Sequence, residues 1–138
     1  MTFVENRTDG VATAETVLVV EDDVLVRLVI AGYLRDCGYR VLEAASGEEA
    51  LRLLQRDDAR VDVVLTDVEM PGQTDGFALA QWVRRERPHV EVVMAGTPAR
   101  AAGAAGELCA QGPAQTRPLA PGAVLSRIRR LLAMRRRP

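Results

Sequence analysis

Val61-Asp62-Val63-Val64-Leu65-Thr66-Asp67-Val68-Glu69-Met70-Pro71-Gly72 passes from an apolar run, through one carboxylate, into a turn. Val61–Thr66 reads as a strand that Asp67 closes. Upstream, Thr16-Val17-Leu18-Val19-Val20 is β-branched and too apolar to be one-sided, as expected of a strand covered on both faces. It runs directly into Glu21-Asp22-Asp23. If the two strands lie parallel and adjacent, four carboxylates from distant segments meet at one sheet edge. Two unit charges about 4 Å apart repel by roughly 4 kcal/mol at an effective dielectric near 20. A cation, or a proton on one member, relieves such a cluster.

The segments between these strands carry helical signals. From Val24 to Cys37, Val24, Leu28, Ala31 and Leu34 recur at helical spacing, and Gly38 stops the helix. Tyr39–Ala44 reads as a second strand. Ser46-Gly47-Glu48-Glu49 is a capping box that opens a helix through Gln55. Gly76–Arg87 is amphipathic, with Phe77, Ala80 and Val83 in register, and Pro88 ends it. Val90–Met94 reads as a fourth strand. Strands alternating with helices predict an α/β fold with parallel pairing through right-handed crossovers. Ligands in such sheets bind beyond the carboxyl ends of the strands, where Glu21, Asp22, Asp67 and Ala95-Gly96-Thr97 all fall.

The remaining third is poorer. Ala99–Gln111 is alanine-rich with interior glycines, each costing a helix about 1 kcal/mol. A fifth strand falls at Ala114-Gln115-Thr116, weak by propensity. Val124, Leu125, Ile128, Leu131 and Leu132 then form a clear helical stripe, and Arg135-Arg136-Arg137 complements that helix's C-terminal dipole.

Composition bounds the function. The chain has 138 residues, 48% of them hydrophobic, which suits one domain. Residues 1–15 read as a flexible tail, 16–134 as the domain and 135–138 as a basic end. Charges interrupt every apolar run, and residues 1–15 lack the features of a secretion signal, so neither a membrane span nor export is expected. The net charge of −1 argues against general nucleic-acid binding. All 18 basic residues are arginine, which excludes any mechanism needing a lysine side chain. Cys37 and Cys109 have no metal-ligand spacing and read as two reduced thiols of a cytoplasmic protein. His89, the single histidine, falls in a surface turn, and Trp82 on a helix away from the acidic cluster.

The acidic pair closing the first strand, Asp67 closing the third, Met70-Pro71-Gly72 after it and Asp75-Gly76-Phe77 closely resemble the receiver domain of two-component response regulators. The resemblance spans about residues 16–134. It implies a flavodoxin-like (βα)5 fold, a doubly wound five-stranded parallel sheet with flanking helices. It also implies that Asp67 accepts a phosphoryl group from a histidine kinase or phosphotransfer protein. Mg²⁺ would be held by Glu21, Asp22, Asp67 and the backbone carbonyl of Glu69. Asp23, one place past the pair, is read instead as the cap of the first helix.

Three parts of the family's switch are altered. The position of the Ser or Thr that binds a phosphoryl oxygen is Gly96, with Thr97 one place late as a candidate hydroxyl. The family's Lys before a proline is Arg117, which keeps positive charge with a longer, planar group. The aromatic residue three places before that Lys is Ala114. The reading is therefore a stand-alone receiver, not an enzyme, with a degenerate switch, acting by protein–protein contact. A phosphorylation-independent interaction module is the alternative. A phosphohydrolase of the haloacid dehalogenase type is a further one, but position 69 is Glu rather than its second Asp and no lysine exists. The downstream partner and a possible homodimer are left open.

Overall fold

The computed structural model describes residues 15–112 and 120–135. β1 (Thr16–Val20), β2 (Arg40–Ala44), β3 (Val63–Thr66) and β4 (Glu91–Met94) pair in parallel in the order β2-β1-β3-β4. The helices are α1 (Val24–Asp36), α2 (Gly47–Leu54), α3 (Gly76–Glu86), α4 (Pro98–Ala110) and α5 (Pro121–Arg135). Every residue of β1 and β3 is buried, as the continuous apolar runs require. The expected fifth strand, Ala114–Thr116, lies outside the described residues, as does nearly all of the 1–15 tail.

The local signals act as read at the starts of α1 and α2, and Asp75 adds a cap to α3. Asp23 caps α1 by accepting the Leu25 and Val26 amides at 3.0 and 3.3 Å. Ser46 Oγ accepts the Glu49 amide at 3.1 Å, and Asp75 accepts the Ala78 amide at 2.9 Å. Two core stripes need correction. In α1, Val26, Ile30, Ala31, Tyr33 and Leu34 are buried, whereas Val24 and Leu28 are about half exposed. This helix begins apolar almost all round, so spacing alone admits more than one stripe. In α3, Leu79, Ala80 and Val83 face the core and Phe77 is exposed.

The two faces of the sheet are unequally covered. α2 and α3 pack over one face, around Leu18, Val20, Val64, Leu79 and Val83. α1, α4 and α5 share the other, around Val17, Val19, Ile30, Leu65, Ala105 and Ile128. A right-handed crossover from β4 to a strand on its outer side would carry α4 over the α2/α3 face. Instead α4 turns under the sheet and lays Ala101, Ala102, Ala105, Leu108 and Cys109 into the α1 core.

Cys37 and Cys109 are joined in a disulfide, which corrects the expectation of two reduced thiols. It ties the C-cap of α1 to the last turn of α4 across 72 residues. Beside it the Tyr39 hydroxyl donates to the Leu108 carbonyl. The C-terminal residue of α5, Arg135, meets the N-cap of α1, so these two helices run antiparallel. Arg135 forks onto both oxygens of Asp23 at 3.2 and 2.8 Å. The basic end is therefore engaged at Arg135, while 136–138 lie outside the described residues.

Candidate functional site

β1 and β3 are neighbours in a register that pairs Val20 with Thr66. Glu21 and Asp67, the next residue of each strand, therefore leave the sheet at the same level. The Asp67 amide donates to the Val20 carbonyl at 3.0 Å and fixes that level. Glu21, Asp22 and Asp67 each offer a carboxylate oxygen, and these oxygens lie within 4.8 Å of one another. Asp22 is exposed, while Glu21 and Asp67 are half-buried. Asp23 belongs to the helix cap, where the Arg135 guanidinium holds its carboxyl below the usual range.

Electrostatics distinguishes the three clustered groups. Burial pushes the Glu21 carboxyl up to about 8, opposed by the Asp23 amide and reinforced by Asp67 and Asp22. The Asp67 carboxyl is also raised, again chiefly by burial. The Val68 amide, 2.7 Å from Asp67 Oδ1, works against that shift, and the Asp22 charge adds to it. Among the described residues no ion pair reaches Glu21, Asp22 or Asp67. Three hard oxygen donors in mutual repulsion, one of them beside solvent, fit a small divalent cation that keeps several waters, as Mg²⁺ does.

A pH dependence follows. Glu21 binds its proton more tightly folded than unfolded, so its contribution to stability is full below about pH 4.5 and is lost as pH rises toward 8. After discounting for solvent screening, the metal-free protein is expected to lose about 2 kcal/mol across that window. Urea unfolding at pH 5 and pH 8 measures it. Most of the loss is expected to disappear in Glu21→Gln, leaving the part that belongs to Asp67.

Two supports of the site gave no sequence signal. Arg27 donates to the Glu21 carbonyl at 2.9 Å and to Glu43 Oε1 at 3.2 Å, bracing the β1–α1 turn. In an arginine-rich chain nothing marks it out. Glu48, at the start of α2, accepts the Gln73 and Thr74 amides at 2.8 and 2.9 Å and so anchors the loop after Asp67.

That loop returns to the site through Gly76, whose amide donates to the Val68 carbonyl at 2.8 Å. A Cβ at Gly76 would stand 2.2 Å from the Asp67 carbonyl oxygen and 2.9 Å from Val68 Cα. Because the obstruction is backbone, Gly76→Ala is expected to destabilise the fold by about 2 kcal/mol. It should also weaken cation binding, and titration calorimetry beside thermal melting checks both effects.

The other candidate residues are placed as follows. Position 96 abuts Val68, the neighbour of Asp67, since a Cβ there would lie 3.3 Å from Val68 Cγ2. Gly96 offers no hydroxyl. Thr97 Oγ1 accepts the Arg100 amide at 3.1 Å and caps α4, leaving its proton free to donate. The Glu69 side chain is exposed. Arg117 and Ala114 lie outside the described residues. His89 is exposed, and Trp82 packs on the α2/α3 face with Arg87 over its ring at 5.2 Å.

Comparison with known proteins identifies the family. The family model for the response regulator receiver domain matches residues 17–111. The sensor kinase CckA of Brucella abortus is 41% identical over 90 residues, covering 65% of this chain and 9% of that protein. The chain thus spans about a tenth of that relative. Chemotaxis response regulator CheY4 of Vibrio cholerae is 30% identical, with a TM-score of 0.57 over 86% of this chain and 99% of that one. Response regulator TrrA of Thermotoga maritima, solved with Mg²⁺ and BeF, is 30% identical, with a TM-score of 0.53 over 58% of this chain and 67% of that one. TrrA has also been solved in complex with the histidine kinase ThkA. No helix among the described residues is long and apolar enough to cross a membrane. With strand-end carboxylates, parallel sheet and family model in agreement, the chain belongs to the response regulator receiver domain family of two-component signalling.

Proposed function

We propose that this receiver accepts a phosphoryl group on Asp67 from a histidine kinase or phosphotransfer protein in the cytoplasm, and signals by protein–protein contact. The observation that carries the reading is the convergence of Glu21, Asp22 and Asp67 within 4.8 Å. Glu21 and Asp22 would hold Mg²⁺ with Asp67 and the Glu69 carbonyl. Bound there, the ion would neutralise charge on the phosphoryl oxygens and on the carboxylates around them.

The chain's own part is nucleophilic. Asp67 presents a carboxylate oxygen whose partner atom, Oδ1, is held by the Val68 amide. That amide orients the carboxylate and favours its ionised form, in opposition to burial. Attack on phosphorus forms an acyl phosphate and returns the electron pair to the donor's leaving group. The loop braced by Glu48 and Gly76 holds the chain after the nucleophile, and Asp67 is half-buried beside the exposed Asp22.

Incubating the protein with Mg²⁺ and acetyl phosphate should add one phosphoryl mass at Asp67, stable to mild acid and lost in alkali. No such adduct, with acetyl phosphate and with phosphorylated kinase alike, would sink the reading. One observation favours a second reading, a module that binds its partner regardless of phosphorylation: Gly96 supplies no hydroxyl, and Thr97 caps α4. Equal partner affinity for wild type and Asp67→Asn, with and without donor, would select it.

A further inference from the structure

We propose that the Cys37–Cys109 disulfide is a redox-operated latch on α4 that tunes the Asp67 site; the proposal rests on the receiver reading above. Three observations carry it. The disulfide joins the end of α1 to the last turn of α4, and both cysteines are buried. Beyond the bridge and the Tyr39 bond to the Leu108 carbonyl, α4 is held by a thin apolar face against α1 and α5. Its buried face is four small residues and one leucine, and Gly103 lies in its interior with open space around it, so that glycine weakens the helix without any packing need. Finally, α4 reaches the site: Ala101 lines one small cavity together with Ala95, Glu21 and Asp67. The latched helix is thus a wall beneath the acidic cluster, and the β4–α4 corner at Gly96 and Thr97 is its upper hinge.

The chemistry balances with a dithiol reductant, the class that keeps cytoplasmic thiols reduced. A dithiol thiolate attacks one sulfur once the last turn of α4 frays, forming a mixed disulfide and expelling the other cysteine as a thiolate. The second thiolate of the reductant then attacks its own sulfur in the mixed disulfide and releases the first cysteine. Two electrons and two protons pass to Cys37 and Cys109, and the reductant leaves as a disulfide. Oxidation reverses these steps. Burial of both sulfurs makes the latch respond only when α4 opens, which couples redox state to the docking of that helix.

The test uses the full chain, oxidised with diamide or reduced with dithiothreitol. Thiol titration should find no free thiol in the first and two in the second. Hydrogen exchange across residues 98–110 should be at least tenfold faster in the reduced form, on a timescale over which β1 and β3, opening only by global unfolding, stay protected. The half-life of the phosphoryl group on Asp67 should differ at least threefold between the two forms. Cys109→Ser should behave as reduced under both conditions, and if it fails to fold, the wild-type pair alone decides. Free thiols after oxidation, equal exchange in α4, or equal half-lives overturn the latch. Absence of labelling in both forms overturns the phosphoacceptor reading instead, and the exchange result then decides the latch by itself.

Discussion

Asp67→Asn is expected to abolish phosphoryl acceptance while making the metal-free protein more stable. The two effects have one cause. Asp67 closes β3 at the level of Glu21, and burial together with the Asp22 charge raises its carboxyl above the usual range. An amide keeps the shape, and its oxygen can still accept the Val68 amide, but it removes a charge that the fold holds unpaired among the described residues. The gain should be largest near pH 8, where the wild-type carboxyl is most fully ionised. It should fade as pH falls and the wild-type carboxyl takes up its proton. The amide is no nucleophile toward phosphorus, so the labelled mass should be absent at every donor concentration. Stabilisation by Mg²⁺ should shrink in parallel, because one of the oxygen ligands proposed for it becomes neutral. Mass spectrometry, and unfolding with and without Mg²⁺, read out the two halves separately. A variant that still labels would place the acceptor elsewhere; one that labels weakly and melts lower would make Asp67 a structural residue.

Loss of the disulfide is the second large expected effect. Closing a loop across 72 residues restricts the unfolded chain by roughly 4 kcal/mol in the chain-entropy model. For a domain of this size that corresponds to a fall in melting temperature on the order of 10 °C. Reduction of the wild type and Cys37→Ser should therefore destabilise to similar extents. The urea dependence should also steepen, because the uncrosslinked chain exposes more surface when it unfolds. A loss below about 1 kcal/mol would mean that the bridge constrains little in the unfolded ensemble.

The disulfide and the acidic cluster differ in how visible they are in sequence. Glu21, Asp22 and Asp67 stand where apolar runs stop, and in a parallel sheet the ends of adjacent strands are neighbours by construction. Strand ends, turn residues and helix caps are local events, so the cap at Asp23, the box at Ser46 and the turn after Asp67 were all legible. The stripe of α1 was not, because Val24, Leu25, Val26, Leu28, Val29 and Ile30 offer apolar surface in nearly every direction. Only the angle at which α1 meets the sheet and α5 chose Val26 and Ile30 for the core. Arg27 and Glu48 escaped for a related reason. The groups they brace at the site are a carbonyl and amides of the main chain, which carry no side-chain signature.

Read from sequence alone, this protein has parallel strands, capped helices and a carboxylate at the end of each of two apolar strands, because each depends on residues adjacent in the chain or on sheet geometry that any such strands must share. Where α4 goes was decided by tertiary structure. An alanine-rich helix with a thin apolar face has no strong preference of its own for either side of a sheet. Its docking on α1, the pairing of Cys37 with Cys109 and the reach of Arg135 to Asp23 follow from which surfaces were left to cover. Such choices depend on the whole packed molecule, and no local spacing records them.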